Sequence, residues 1–85
     1  MRPHLPEEEI HAWLDRQISR PQSREIAEHL MRKIKSRELQ PYQQLPTEYE
    51  LAEQFQVSRI TSQRALVELE KSGWIFRERG KGSFV

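Results

Sequence analysis

LPTEYELAEQFQVSRITSQRALVELEKSGWIFRERGKGSFV, residues 45–85, reads as two short helices joined by a tight turn and followed by a small β-hairpin. Thr47 stands three residues before Glu50, the spacing of a capping box in which each side chain satisfies a backbone N–H at a helix start. Leu51, Ala52 and Phe55 then fall on one apolar stripe. Gln56-Val57 leaves room only for a turn, and Ser58 is a good N-cap for the next helix. That helix turns Ala65, Leu66 and Leu69 inward and stops at Gly73, the residue that most readily takes the left-handed conformation after a helix. Trp74, Ile75 and Phe76 favour a strand. Arg79-Gly80-Lys81-Gly82 supplies the turn, and Ser83-Phe84-Val85 returns as the second strand.

Two helices joined in this way form a helix-turn-helix, the unit whose second helix enters the DNA major groove. With the hairpin behind it, the unit is a winged helix. The segments LPTE-x-ELA, VSR-x-T, RAL-x-x-L, GW-I and GKGSFV occur in order and in register. Together they resemble the DNA-binding head of the GntR family of bacterial transcription regulators. The resemblance covers about half of the chain directly and, more loosely, the helix before it. The Trp after Gly73 and the Arg64-Ala65-Leu66 triplet lean toward the HutC-like branch. The expected fold is mainly α with a small β-hairpin: a three-helix core plus a β wing over residues 20–85, with an extra N-terminal helix in residues 1–19.

Upstream, residues 1–5 are expected to lack fixed structure. A helix is expected from Pro6, because proline suits the first helical position and Glu7, Glu8 and Glu9 would sit at the favourable end of the helix dipole. Ile10, Trp13, Leu14 and Ile18 share one face, which either packs on the domain's own core or seeks a partner. Ser19-Arg20-Pro21 breaks the chain. Ile26, Ala27, Leu30, Met31 and Ile34 then mark an amphipathic helix to about Arg37, with Pro21 in its first turn. Its basic side, with Arg24, Arg32, Lys33 and Lys35, reads first as a solvated face, with one or two phosphate contacts as the functional alternative. Residues 39–44 form a connector with room for one short strand beside the wing. The resemblance puts a glycine where Tyr42 stands, so a differently built turn is expected there.

Eighty-five residues make one small domain, near the lower size at which a single core suffices. The chain has no cysteine, and its three histidines are scattered, which argues against disulfides, thiolate metal sites and cofactors. No apolar run matches a membrane span and no signal peptide opens the chain, so a soluble cytoplasmic module is expected. Net charge is only +1, but cations are concentrated in residues 20–37 and 59–85 while residues 1–19 are net acidic. Local fields of this kind steer toward phosphate better than the total suggests.

Arg59 is the foremost candidate for reading DNA. It lies on the first turn of the second helix, and its planar fork can bond O6 and N7 of one guanine. Its structural alternative is an ion pair with Glu48 or Glu50. Thr61 offers a hydroxyl to phosphate and a methyl to thymine, Gln63 can pair with adenine, and Ser58 is a cap before it is anything else. Tyr49, Ile60 and Arg64 complete the helical set. At the wing tip, Gly80 and Gly82 let the backbone approach DNA closely, while Arg79 and Lys81 supply charge for phosphate or a narrowed minor groove. Against the family pattern, Tyr49 and Gln63 each stand where many members carry arginine, and Ser62 stands where valine is common. The first two put operator affinity and base preference in doubt; the third suggests an underpacked or rotated inner face.

The resemblance implies a two-fold operator, a homodimer in the full-length protein, and an effector-binding or oligomerisation domain after the wing. Residue 85 lies where that domain would begin, so response to a small molecule is expected outside these residues. In a few relatives the following domain is aminotransferase-like and holds pyridoxal phosphate. A protein-interaction module working through the apolar N-terminal helix is the rival reading. An enzyme is not expected, because no nucleophile–base pair, phosphate loop or metal constellation appears.

Overall fold

The computed structural model describes residues 5–85. Four helices, α1 (Ile10–Gln17), α2 (Pro21–Lys35), α3 (Glu48–Phe55) and α4 (Arg59–Ser72), are followed by strands β1 (Phe76–Glu78) and β2 (Gly82–Phe84). The strands pair antiparallel, with Phe76 opposite Phe84, Arg77 opposite Ser83 and Glu78 opposite Gly82. The architecture is a winged helix with one added N-terminal helix, as the sequence implies.

The apolar stripes meet in one core. Ile26, Ala27, Leu30, Met31 and Ile34 of α2 pack with Leu51 of α3, with Ala65, Leu66 and Leu69 of α4, and with Leu39, Leu45 and Ile75 from the connecting segments. Ile10, Leu14 and Ile18 join the same cluster and are at most 1% exposed, with Trp13 packed beside them. Each such aliphatic side chain contributes about 1.5–3 kcal/mol by leaving water. The apolar face of α1 is therefore satisfied within the chain, and it offers no exposed Trp-Leu-Ile patch to a partner.

Three expectations about boundaries need correction. First, α1 starts at Ile10 and not at Pro6: residues 7–9 form a turn, in which Glu9 N–H donates to Pro6 O at 3.0 Å. The chain before this turn is already committed elsewhere. Leu5 N–H donates to Ser72 O at 3.0 Å, and the Trp74 indole N–H donates to Leu5 O at 3.0 Å. Leu5 is thus held, against the expectation that residues 1–5 lack structure; residues 1–4 lie outside the described residues. Second, β1 begins at Phe76 and not at Trp74, because Ile75 is drawn into the core and Trp74 turns aside to Leu5. Third, α2 ends at Lys35, with Ser36 as its C-cap and Arg37 in a left-handed conformation.

The connector does run along the wing. Gln44 bridges Phe84, Leu45 N–H donates to Ser83 O at 2.8 Å, and Tyr42 N–H donates to Val85 O at 2.8 Å. Tyr42 itself has φ 67, the left-handed region that glycine enters most easily, and its ring is 80% exposed. The tyrosine thus holds a backbone conformation suited to a glycine.

Candidate nucleic-acid interface

Two caps and a left-handed turn aim α4. Thr47 Oγ1 accepts from Glu50 N–H at 3.1 Å while Glu50 Oε1 accepts from Thr47 N–H at 2.9 Å, so the capping box is complete. Gln56 ends α3 at φ 58, and Ser58 Oγ accepts the Thr61 N–H at 3.2 Å to start α4. Gly73 closes α4 at φ 89. The capping box, the Ser58 cap and the Gly73 stop follow from residue type and spacing, whereas the left-handed Gln56 is marked in the sequence only as part of a turn.

On the first turns of α4, Arg59, Ile60, Gln63 and Arg64 are exposed and fall on one outward face by their i, i+4 spacing. Ile60 is 59% exposed, an apolar side chain held in solvent on the same turn as Arg59. Thr61 differs from its neighbours. It is only 6% exposed, and its hydroxyl lies 2.9 Å from Ser58 Oγ, inside the cap and not on open helix surface.

Ser62 faces fully inward. Its hydroxyl lies 2.7 Å from Glu48 O and 2.9 Å from Arg59 O, sharing its proton between α3 and α4. Its place on the Ala65–Leu66–Leu69 side shows that the helix is not rotated, and a hydrogen bond takes the place of apolar packing. Ser23, buried near the start of α2, donates to Thr61 O at 3.0 Å and ties a third helix to the same turn. Both serines were visible as polar residues on otherwise apolar stripes, and that was the signal for an inward hydroxyl.

Arg59 is engaged with α3. Its Nε stands 3.6 Å from Glu48 Oε1, its Nη1 donates to the Tyr49 hydroxyl, and its guanidinium lies over the Tyr49 ring, 5.0 Å from the centroid. Glu50 instead uses its Oε1 to cap α3. The Arg59 side chain remains 54% exposed and Tyr49 63% exposed, so the pair stands at the surface.

A groove of about 540 Å³ runs between the start of α3 and the wing, lined by Thr47, Glu48, Tyr49, Leu66 and residues 77–83. It brings Tyr49 onto the same surface as Arg79, Gly80, Lys81 and Gly82. The tip proper is residues 79–81, with Gly82 already in β2 opposite Glu78. Lys81 pairs with Glu78 at 3.7 Å, and Gln44 Nε2 donates to Lys81 O at 2.9 Å, pinning the tip from the connector. Nothing in the sequence marked Gln44 for this task.

His29 lies outside this surface. It packs edge-on against Phe55 with ring centroids 5.2 Å apart. Burial first, then Lys33 and Arg32, hold its pKa below the ordinary histidine value. Among the described residues, no cluster of His, Cys, Asp or Glu could hold a metal ion, and no helix is long and apolar enough to cross a membrane.

A winged helix-turn-helix in which the first turn of α4 lies beside the start of α3, and that start lies across a groove from the wing, is the architecture of a DNA-binding domain. Residues 22–85 match the family described as bacterial regulatory proteins, gntR family, and the chain belongs to that family. The chain is 48% identical over 61 residues to the HTH-type transcriptional repressor NagR of Bacillus subtilis, a match covering 72% of this chain and 25% of that protein. It is 42% identical over 65 residues to the arabinose metabolism transcriptional repressor of Geobacillus stearothermophilus, covering 76% and 18%. The chain thus spans a quarter or less of these relatives. Among solved structures, the AraR DNA-binding domain in complex with operator ORR3 superposes with a TM-score of 0.74 at 34% identity, covering 80% of this chain and 82% of that one. The same domain with operator ORE1 matches over 100% of this chain and 92% of that chain, with a TM-score of 0.74 at 29% identity.

Proposed function

We propose that this chain reads double-stranded DNA as the head of a GntR-type transcription regulator, with residues 58–72 in the major groove and residues 79–82 at the minor groove. The observation that carries this is the outward first turn of α4, with Arg59 at the surface beside Tyr49 and the wing tip across one groove from that tyrosine. Arg59 supplies base choice through its fork, with Ile60, Gln63 and Arg64 beside it. Tyr49 belongs to the same surface as Arg59, Arg79 and Lys81 meet the backbone or minor groove, and Gly80 and Gly82 permit that approach. Ser58 and Thr61 set the start of the helix and take at most a phosphate.

The target is a two-fold operator bound by a homodimer of the full-length regulator, acting as a repressor in the cytoplasm. An effector would act through a domain following the wing, and residues 1–19 are an extension of the head. The HutC-like branch is supported by Gly73-Trp74 and Arg64-Ala65-Leu66. The chain performs no catalysis and needs no cofactor in this role. The rival protein-interaction reading loses the support it drew from the N-terminal helix, because the apolar face of α1 is buried in the core; the residues Tyr49 and Gln63, where many members carry arginine, still speak for it.

Fluorescence anisotropy on duplexes selected from a randomised pool tests the proposal. Wild type is expected to enrich a two-fold site, to weaken steeply with salt, and to lose base preference on Arg59→Ala. Failure to enrich any duplex, with no effect of the substitution at low salt, would overturn it.

A further inference from the structure

The Glu48–Arg59–Tyr49 array is not explained by folding alone. All three side chains belong to helix starts, and both starts are stiffened by caps. Arg59 has a long side chain that loses rotamer freedom when fixed, whereas tyrosine has only two side-chain torsions and offers a rigid face. Here the ring of Tyr49 lies against the guanidinium and its hydroxyl takes one Nη1 proton, while Nε faces Glu48. The remaining N–H groups on Nη1 and Nη2 are enough for a bidentate contact with one guanine.

We propose that Tyr49 is a positioning residue for base reading: it holds the Arg59 fork in place before DNA arrives, so that the sequence preference carried by Arg59 depends on the Tyr49 ring and hydroxyl. The partner is a guanine edge in the major groove, and the role rests on the DNA-reading proposal for the same helix. Tyr49 brings no charge. It therefore sharpens choice between bases without adding to the salt-dependent attraction for phosphate. Preorganisation of this kind acts by lowering the ordering cost that binding would otherwise meet.

The test uses the duplex enriched by wild type and its single-base-pair variants, with wild type, Arg59→Ala, Tyr49→Phe, Tyr49→Ala and the double variant Tyr49→Ala/Arg59→Ala. The base pair at which Arg59→Ala abolishes preference is identified first. At that pair, Tyr49→Ala is expected to reduce discrimination roughly fivefold to tenfold, within the range of one good bidentate contact. Tyr49→Phe is expected to reduce it about twofold to threefold, because the ring stays and one hydrogen bond goes. Preferences at other base pairs, the salt slope and the denaturation midpoint should stay at wild-type values. In the Arg59→Ala background, Tyr49→Ala should change nothing further.

Equal effects of Tyr49→Ala with and without Arg59 would overturn the positioning role while leaving DNA reading intact. So would a preference shift at a different base pair. Loss of no preference on Arg59→Ala would overturn both readings together, and that result is distinguishable from the others in the first step.

Discussion

The turn that launches α4 and the turn that makes the wing tip are built by different means. The first is over-determined. Ser58 caps it, Ser62 ties it to α3 and Ser23 ties it to α2, all through hydroxyls at 2.7–3.2 Å. The tip is held by the Lys81 N–H to Glu78 O bond at 2.9 Å, by Gln44 from the connector, and by glycines at φ 78 and 122. The contrast fits the roles proposed for each. A side chain that reads base edges needs its helix fixed in position and angle, while contacts to phosphate and groove walls tolerate displacement.

The largest effect should come from breaking the rigid side. Ser58→Ala combined with Ser62→Ala is expected to cost about 2–3 kcal/mol of stability, from one lost cap and one lost inter-helix hydrogen bond. It should also blunt base preference at the position that the proposal assigns to Arg59. Urea unfolding monitored by circular dichroism, with anisotropy on matched and mismatched duplexes, measures both. If stability falls while discrimination is untouched, the hydroxyl network serves folding only and the contrast fails.

On the wing, Gly82→Ala should cost about 1–2 kcal/mol, since the residue sits at φ 122 and its new methyl would meet Gln44 Nε2 at 2.8 Å. Affinity should fall alike for matched and mismatched duplexes, with preference at the Arg59 base pair preserved. Gly80→Ala separates strain from crowding, because nothing lies within 4 Å of the added methyl there. It should be the milder of the two in the same melts.

Gln44→Ala sharpens the comparison at smaller scale. Loss of one exposed hydrogen bond should cost about 0.5–1 kcal/mol. Faster amide exchange confined to residues 79–82, with α4 unaffected, would mark Gln44 as the buttress of the tip alone. Spread of the effect into α4 would show that wing and reading helix move as one body.

The smallest expected effect is the pH dependence from His29. Its pKa is lowered in the fold by burial, Lys33 and Arg32, against weaker opposing influences from Glu38 and Glu25. Below its ordinary value of 6.5 the unfolded chain binds more protons at this site than the folded one. The stability involved is present above that pH and is lost as pH falls through the lowered folded value. His29→Gln should therefore lose less stability than wild type between pH 7.5 and about 5. A parallel loss in both proteins would remove His29 from the account.

Much of the helix-turn-helix is legible in the sequence because its signals are local. Thr47 with Glu50, Ser58, and Gly73 each act within a turn of their own position, and the apolar stripes repeat at helical spacing. In the wing, the first strand starts at Phe76 and not at Trp74, because Trp74 and Ile75 have tertiary uses that override β propensity, while the second spans Gly82–Phe84, one residue earlier than the expected Ser83–Val85. Glu48, not Glu50, pairs with Arg59, while Glu50 caps its own helix start.

Caps, periodicity and glycine turns thus determined from sequence alone the order of the helices, the turn between α3 and α4 and the presence of a hairpin. Only tertiary packing decided that Trp74 reaches back 69 residues to Leu5, that Gln44 supports a tip 37 residues away, and that Tyr49 lies under Arg59. The physical reason is range. Backbone groups at a helix end are satisfied by neighbours a few residues away, whereas side chains far apart in sequence meet only after the core has fixed the distance and angle between their elements.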